Sequence, residues 1–522
     1  MHDLPSRSPV SRRAALGGAI SAAAVAAVAA CTADDARSGR RVASDASTAT
    51  GEDDRRSREL PAMTGPIWSL PAHEIAMRVR AGELTSRQVV DAFLDRAQAV
   101  NPEVNALTTI LDREARSAAD RADNRLADGA EVGPLHGVPF TVKENIDMVG
   151  SATTMGLPTF EGAIPERDSP HIELLKAAGG IPIARTNLPD LAFRWHTDSL
   201  LHGATVNPWD ASRSPGGSSG GEAVAVATGM TALGVGNDYF GSLRVPAQFC
   251  GIAALRPTMG RVASASTLLP DPPISMQLMA VQGPMARHVD DLRLALGVMA
   301  GPNPRDPWWT PGPERPEPLP RRVAVQRDNV DASGAAALDR AAAALMDAGY
   351  EVDDLRAPLI TEGSDLAQDL VAADSRVVVE QLRGALGADS LRFIDAWLQL
   401  RPPLSSAGVV ESLTGRHRVA RAWSEFQDDH PLILGPVSTR PPFAVGADLG
   451  GRAAVAEIFE TLRLVVVVSL LGLPSVVVPT GEIGAIPQAV QIIGPRFRED
   501  ACLDAATVVQ QHVGPPSVID PH

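Results

Sequence analysis

The sequence predicts an α/β fold, in which helices cover the faces of a β-sheet. Two observations carry this prediction. Short apolar runs typical of strands, at 137–142, 181–184 and 232–235, alternate with helical segments, and such alternation is typical of a sheet covered by helices. The chain of 522 residues is also 44% apolar, which is enough for the core of one large domain or two ordinary ones.

The predicted fold begins near Pro66 and extends to about residue 515. Helix-capping residues, apolar positions on one helical face and β-branched runs locate its first elements. They are helices at 72–81, from Thr85 or Ser86 through Ala97, at 112–126 and at 170–179, and strands at 137–142 and 181–184. The first of these strands delivers Lys143 at its end.

A glycine-rich loop opens the central stretch of the chain, 214–244. Glycines allow positive φ angles and a close approach of the backbone to other groups. A short Ala/Val helix follows and stops at Gly229, and a buried strand is predicted at 232–235. Ser218 and Ser242 therefore flank one loop–helix–strand unit. Because the loop lies between apolar elements, we interpret it as functional rather than as a linker.

The C-terminal part starts after a proline-rich connector at 302–320. Its predicted elements are strands at 322–326, 464–468, 475–478 and 490–494, and helices at 335–348 and from near Ala501. The segment 320–440 is interpreted as an inserted or peripheral subdomain, and 516–522 as a tail.

Charge and cysteine content limit the function classes. The formal net charge of −15 argues against a nucleic-acid partner. The three cysteines, Cys31, Cys250 and Cys502, are too few for a disulfide framework. Histidines and cysteines do not cluster at metal-ligand spacing, so neither a metal nor a cofactor is expected.

Lysine is rare in this chain, which has only Lys143 and Lys176 among 47 Lys and Arg residues. A lysine can lose its proton in a suitable environment, whereas an arginine cannot. Each lysine is therefore a departure from the general use of arginine. Lys176, on a helix, is interpreted as a solvated surface charge, and the isolated His196 and His202 as structural residues.

Residues 1–31 are predicted to be an export signal. Two adjacent arginines, Arg12 and Arg13, precede an Ala-rich apolar run at 14–30, which suggests the twin-arginine route. The run ends in VAAC, which resembles a bacterial lipobox with Cys31 as the acylated residue. The alternative, an uncleaved membrane helix, is disfavoured because the run is shorter than the usual span of about 20 residues.

Residues 32–65 are rich in Asp, Arg, Ser and Ala and have no apolar period. We interpret them as a disordered tether. The signal and the tether together predict a protein exported to the cell envelope. A lipid would hold it on the outer side of the cytoplasmic membrane.

Four ordered motifs mark the centre of the folded part. They are GVPFTVKEN at 137–145, NPWD at 207–210, SPGGSSGG at 214–221 and GSLRVPA at 241–247. These motifs resemble those of the amidase signature family of Ser–cis-Ser–Lys hydrolases, and the resemblance runs from about Ile67 to Val513. It implies a large, mixed, twisted sheet with helices on both faces, a small-molecule amide substrate and no cofactor. It also implies that Lys143 is the base, Ser218 the bridging serine in a cis peptide, and Ser242 the nucleophile.

The residue types fit this chemistry. A serine hydroxyl is a weak nucleophile and needs an adjacent base; no histidine is close to either serine in sequence, although fold contacts could supply one. Lys143 can be the base only when neutral, so its pKa must fall well below about 10.4. Burial and the positive end of the helix after Gly221 would lower it. Ser218 can donate and accept at once, and so can pass a proton from Ser242 to Lys143.

The residues before the nucleophile depart from the family pattern. Backbone N–H groups of Tyr239, Phe240 and Gly241 are predicted to form the oxyanion hole, but the family usually has glycine where this chain has Phe240. If that position requires positive φ, a phenylalanine there is strained and activity is weakened. The favoured interpretation is a tolerated variant with a reshaped acyl pocket, walled by Trp195, Phe240 and Met155.

Three functions are compatible with the sequence. The favoured one is an exported, lipid-anchored amidase that cleaves a carboxylic amide C–N bond through an acyl-enzyme on Ser242; an esterase or carbamate hydrolase would use the same intermediate. A catalytically weak or inactive binding lipoprotein rests on Phe240 alone. A role as part of a glutamine-dependent transamidation enzyme conflicts with the export signal. Acyl and amine specificity and the oligomeric state are left open.

Overall fold

The sheet is the central feature of the computed structural model, which describes residues 62–484 and 486–521. The predicted export signal, with Cys31, and nearly all of the predicted tether lie outside the described residues. The described strands are β1 (Leu107–Ile110), β2 (Pro139–Lys143), β3 (Ile181–Thr186), β4 (Asp198–Ser199), β5 (Gly203–Ala204), β6 (Leu233–Asp238), β7 (Ala253–Arg256), β8 (Val281–Ala286), β9 (Arg322–Val325), β10 (Glu351–Asp354), β11 (Leu432–Gly435), β12 (Ser475–Ile483) and β13 (Ile486–Ile493).

Eleven of these strands form one mixed sheet in the order β1-β3-β2-β6-β8-β7-β12-β13-β11-β9-β10, and β4 pairs with β5 separately. β2 is parallel to both β3 and β6, and β9 is parallel to both β10 and β11. The other neighbours in the sheet are antiparallel. Because parallel strands end at the same edge, β3, β2 and β6 bring Thr186, Lys143 and Asp238 to one edge of the sheet.

Helices pack on both faces of this sheet. They are α1 (Ala72–Arg80), α2 (Ser86–Val104), α3 (Asp112–Ala127), α4 (Pro170–Ala177), α5 (Gly220–Ala227), α6 (Arg244–Cys250), α7 (Ile274–Met279), α8 (Val289–Met299), α9 (Ala332–Asp347), α10 (Ile360–Leu382), α11 (Ala388–Leu400), α12 (Ser406–Asp429), α13 (Arg452–Thr461), α14 (Arg463–Leu471) and α15 (Glu499–Val513). Thr85 caps α2 through a reciprocal hydrogen-bond pair with Gln88.

Neighbouring strand residues face different helix layers, as the two-residue period of a strand requires. Val476 and Val478 belong to a core formed with α1, α3, α8, α9 and α15. Val477, between them, belongs to a second core formed with α5, α6, α10, α11 and α13. The sheet is therefore covered on both faces, which confirms the predicted fold class.

The segment 464–468 is helical, and the strand predicted there is wrong. It lies in α14, where Leu464 through Leu471 are all buried. A short apolar run has the same pattern in a buried strand and in a helix buried on all sides, so its period does not distinguish them. The helix ends at Gly472, which takes the left-handed conformation with φ 63°. The other predicted helices and strands are confirmed, with shifted ends.

Residues 322–435 contribute β9, β10 and β11 to the far side of the same sheet. The interpretation of 320–440 as an inserted or peripheral subdomain stays a prediction. None of the helices in the described part of the chain is both long enough and apolar enough to cross a bilayer.

Candidate active site

Lys143 is the last residue of β2 and is fully buried. Its Nζ atom lies 2.7 Å from Oγ of Ser218 and 2.8 Å from Oδ1 of Asn237. Asn237 belongs to β6, the parallel neighbour of β2. The amine is therefore held between the glycine-rich loop and the carboxyl end of the adjacent strand.

Ser218 lies in the glycine-rich loop before α5 and is 1% exposed. The peptide bond between Gly217 and Ser218 is cis, as the family resemblance implies. The backbone here passes close to another segment, because a Cβ atom on Gly217 would lie 2.6 Å from the carbonyl oxygen of Arg194. Only glycine fits that position without displacing the Arg194 backbone.

Ser242 lies two residues before α6, beside the same loop. The backbone N–H of Ser219 donates to the carbonyl oxygen of Ser242 at 3.2 Å, which ties the two serine-bearing segments together. The Ser242 side chain is mostly buried, and its hydroxyl makes no hydrogen bond to another described residue. An unbonded hydroxyl is compatible with a candidate nucleophile, since catalytic hydrogen bonds often tighten only when substrate binds.

Burial lowers the pKa of Lys143 to about 7, although the negative charges of Asp238 and Glu222 partly oppose that shift. A large fraction of the amine is therefore neutral near pH 7. A neutral amine can accept a proton, which is the state that a lysine base requires. The sequence-based expectation that burial lowers this pKa is confirmed.

A buried ionic network fixes the turn that carries Ser242. The Asp238 carboxylate accepts hydrogen bonds from the backbone N–H groups of Gly241 and Leu243, at 2.9 and 3.2 Å. It also pairs with the fully buried guanidinium groups of Arg244, at 3.0 Å, and Arg256, at 3.1 Å. Burial by itself would raise the pKa of Asp238, but the two guanidinium groups outweigh it and hold that pKa below its ordinary value. Asp238 thus stays ionised and anchors the residues on both sides of Ser242.

Of the three N–H groups predicted for the oxyanion hole, that of Gly241 is already used by Asp238. Asp238 also holds in place the turn that carries the other two N–H groups, those of Tyr239 and Phe240. The Tyr239 hydroxyl is hydrogen-bonded to Ser275 of α7, which fixes its side chain. The assignment of oxyanion donors stays a prediction.

Phe240 does not have the positive φ angle that would strain a phenylalanine; Gly241, the next residue, takes it, with φ 88°. A Cβ atom on Gly241 would clash with Cγ1 of Val465 in α14, so glycine is required at that position. The Phe240 carbonyl accepts a hydrogen bond from the indole N–H of Trp195 at 2.9 Å. The strain alternative is therefore not supported.

Trp195 belongs to an aromatic cluster, and the Phe240 ring contacts Tyr239 at a centroid distance of 5.4 Å. The Trp195 ring makes edge contacts with Phe393 and Phe459, at centroid distances of 6.2 and 5.0 Å, and Phe459 stacks on Trp397. The predicted wall residues Trp195 and Phe240 are thus brought together. Met155, the third predicted wall residue, is buried but lies outside this cluster.

Sequence reasoning missed several residues that contact the site. They are Asn237 beside Lys143, the carboxylates Asp238 and Glu222, and the hydroxyls of Thr141 and Thr186. All except Glu222 lie at or near the carboxyl ends of β2, β3 and β6. Polar residues at the end of a buried strand were the available signal, because their side chains meet at one sheet edge.

The remaining single residues have structural partners. His196 is buried against the Ser214 hydroxyl, and Nε2 of His202 lies 2.8 Å from a Glu144 oxygen. Lys176 is 30% exposed and forms an ion pair with Asp168 at 2.8 Å. It is therefore a paired, partly buried charge rather than the freely solvated one predicted.

A buried amine with a lowered pKa and two serines close to it form an arrangement suited to nucleophilic acyl transfer. The comparison with known proteins agrees with this class. The family model described as Amidase matches residues 88–503, and the chain belongs to the amidase signature family. It is an amidase, a hydrolase of carboxylic amide C–N bonds.

Two relatives and one solved structure illustrate the similarity. The chain is 39% identical to an indoleacetamide hydrolase of Bradyrhizobium diazoefficiens over 461 residues, 86% of this chain and 88% of the relative. It is 30% identical to a glutamyl-tRNA(Gln) amidotransferase subunit of Carboxydothermus hydrogenoformans, over 85% of this chain and 98% of that one. A structure of 6-aminohexanoate cyclic dimer hydrolase with substrate superposes with a TM-score of 0.74 at 27% identity, over 86% of this chain and 98% of that one.

Proposed function

We propose that this amidase acts through an acyl-enzyme on Ser242, with Lys143 as the base and Ser218 as the bridge between them. One observation carries the proposal, the distance of 2.7 Å between Nζ of a fully buried Lys143 and Oγ of Ser218. A buried lysine with no carboxylate in direct contact favours its neutral form, and the serine beside it can pass a proton in either direction.

The proposed reaction has two stages. Ser242 Oγ attacks the amide carbon while its proton passes to Ser218 and the Ser218 proton passes to Lys143. Lys143 then returns a proton through the same bridge to the leaving nitrogen, and the C–N bond breaks. In the second stage water attacks the resulting ester and gives a proton to the same relay. The bond between the acyl carbon and Ser242 Oγ then breaks, the relay returns the proton to Oγ, and the carboxylic acid and free Ser242 are released.

Backbone N–H groups would stabilise the negative oxygen that forms in both stages. Tyr239 and Phe240 supply the candidates whose N–H groups are not already bonded to Asp238. Gly241 could contribute only by sharing its N–H with that carboxylate. One such donor contributes about 3 kcal/mol to transition-state stabilisation in related chemistry.

The substrate class we propose is a small primary amide with an aromatic acyl group. Phe240 lies two residues before Ser242, and its carbonyl accepts a hydrogen bond from Trp195, whose ring belongs to an aromatic cluster with Phe393 and Phe459. Aromatic side chains favour flat apolar ligands through edge and stacking contacts. The relative at 39% identity is named for hydrolysis of indoleacetamide, which belongs to this class.

The proposed place of action is the cell envelope, with the protein held by an acyl group on Cys31. This rests on the twin arginines, the Ala-rich run and the VAAC motif of the first 31 residues. Export would also separate the chain from cytosolic translation, which speaks against a role in transamidation despite the 30% identity to part of an amidotransferase.

Release of the carboxylic acid product from a matched series of four amides and one ester tests this function. The full chain would be assayed with indole-3-acetamide, phenylacetamide, a fatty primary amide, glutamine and the methyl ester of indole-3-acetic acid. We expect the two aromatic amides to give the highest kcat/KM. Glutamine as the preferred substrate would support transamidation, preference for the ester would support an esterase, and binding without turnover would support the binding lipoprotein.

A further inference from the structure

Glu222 is a fully buried carboxyl group that the proposed mechanism does not use. It lies in the first turn of α5, four residues after Ser218 in the chain. Its Oε2 atom accepts a hydrogen bond from the Thr141 hydroxyl at 2.5 Å, and its Oε1 atom accepts one from the Thr186 hydroxyl at 2.9 Å. Both carboxyl oxygens are therefore occupied and the group is held in one orientation.

These two threonines are neighbours of Lys143 in the sheet, so their hydrogen bonds hold the Glu222 carboxyl group in the same part of the fold as Lys143. Thr141 lies two residues before Lys143 on β2, so the two side chains leave the same face of the sheet. Thr186 is the register partner of Lys143 on β3. Gly234, the partner of Thr141 on β6, leaves the space for the carboxyl group, because a Cβ atom there would lie 2.5 Å from Oε2.

The charges of two buried side chains, Arg185 and Lys143, act on this carboxyl group. Arg185 of β3 is fully buried, and its guanidinium group donates to the carbonyl oxygens of Lys143 and Ile146 at 3.1 and 2.8 Å. Lys143 is the other cation when it is protonated. Asp238 is a second carboxylate whose negative charge acts on Lys143. The Glu222 carboxylate therefore acts on Lys143 once Lys143 takes a proton, beside the larger effect of Asp238.

We propose that Glu222 is a positioning residue of this site, whose fixed carboxylate stabilises the ammonium form that Lys143 reaches during acyl transfer. The proposal rests on the proposed role of Lys143 as base. No bond to Glu222 forms or breaks: the proton moves from Ser242 through Ser218 to Nζ, and Glu222 acts on that ammonium through the electric field inside the protein.

Glu222 acts on Lys143 in its ionised form, which prevails above about pH 7. Burial raises the pKa of Glu222 to about 7, against the opposing effect of the two threonine hydroxyls and the nearby cations. The negative charge of Glu222 in turn raises the pKa of Lys143. Removing that charge should therefore lower the pKa of Lys143 further. The lysine would become a weaker base that stays neutral to lower pH.

The pH dependence of Ser242 labelling by a fluorophosphonate probe tests the proposal on the full chain. This readout needs no knowledge of the amide substrate. In Glu222→Gln we expect the acid limb of the labelling rate to move down by about one pH unit or more, with a lower plateau rate because the base is weaker. Thr186→Val, which removes one hydrogen bond to the carboxylate, should shift the limb in the same direction by less.

Glu144→Gln is the matched control, because Glu144 is a buried carboxyl group next to Lys143 in the chain but is in contact with His202. It should leave the acid limb in place. A folded Glu222→Gln protein with the wild-type limb would overturn the proposal. If that variant does not fold, an unshifted limb in Thr186→Val overturns it instead. A wild type that the probe does not label at all would overturn both this proposal and the proposed function.

Discussion

Nζ of Lys143 lies 2.7 Å from Oγ of Ser218, although the two residues are 75 positions apart in the chain. The contact depends on the parallel pairing of β2 and β6, on the loop that runs into α5, and on a glycine beside Ser218 that allows close approach. It joins a residue at the end of a strand to a residue in a loop.

Ser242→Ala should remove both amide turnover and covalent labelling by a fluorophosphonate, because the acyl-enzyme needs the Ser242 oxygen. Mass spectrometry of the intact labelled protein measures this directly. Ser219→Ala is the control, since Ser219 lies beside Ser218, alanine keeps the backbone N–H that bonds to Ser242, and the Ser219 hydroxyl bonds to the Asn237 carbonyl and not to Ser242. Wild-type labelling in Ser242→Ala would assign the nucleophile to another residue.

Lys143→Arg should be as inactive as Lys143→Ala, because an arginine keeps the charge but cannot accept the proton. In the wild type, kcat/KM should fall as the pH drops below about 7, since protonation removes the neutral amine that acts as the base. A pH–rate profile between about pH 5 and 9 measures this limb. Turnover by Lys143→Arg would show that the residue acts only as a charge.

Phe240→Gly should change acyl specificity and leave kcat for a small amide such as propionamide nearly unchanged. The reason is that Phe240 has an unstrained φ angle and its carbonyl is held by Trp195, so the loop is already in its working conformation. The measurement is kcat/KM across amides of increasing acyl size. A rise in kcat of similar size for every substrate, up to about 10²-fold, would instead mean that the ring misdirects an oxyanion donor.

Asp238→Asn should lower the free energy of unfolding by about 3–5 kcal/mol, because two buried guanidinium groups lose the carboxylate between them. Urea denaturation followed by circular dichroism measures this. The exposed pair of Arg383 and Asp395 provides the control, at 2.7 Å but with both side chains near half exposed. Asp395→Asn should cost less than about 1 kcal/mol, and equal losses in the two variants would contradict the anchoring role of Asp238.

Cys31→Ser should prevent acylation and move the protein out of the detergent phase in a phase-separation assay. A lipid chain partitions through burial of its CH₂ groups, each contributing about 0.8 kcal/mol, and serine offers no thiol for its attachment. Arg12→Lys with Arg13→Lys should block export separately. An unprocessed wild-type chain in the cytosol would remove the proposed location and reopen the transamidation alternative.

The fold class and the three candidate catalytic residues could be predicted because their signals are local. Lys143, Ser218 and Ser242 each lie in a short motif, and strand and helix patterns alternate clearly around them. The apolar run at 464–468 predicts a strand as readily as a helix, because consecutive apolar residues show neither the period of a half-buried strand nor that of an amphipathic helix. Its helical form depends on packing against other helices and on Gly472, which stops it.

The surroundings of the base could not be predicted in the same way. Glu222 lies on α5, Thr141 on β2 and Thr186 on β3, and nothing in the sequence says that these three side chains meet. Their contacts arise from strand register and from the direction in which α5 leaves the loop. The same holds for Asp238, whose partner Arg256 is 18 residues away along the chain.

The two residues before Ser242 differ in how much substitution they tolerate. Gly241 is confined by its left-handed φ and by Val465, so any side chain there would push α14 away from the turn. Phe240 does not have a positive φ, and its carbonyl group, which every amino acid has, is held by Trp195, although its ring is buried. Position 240 therefore does not require glycine, while position 241 does. A saturation library at 240 should yield folded enzymes with many acyl preferences, and the same library at 241 should return glycine.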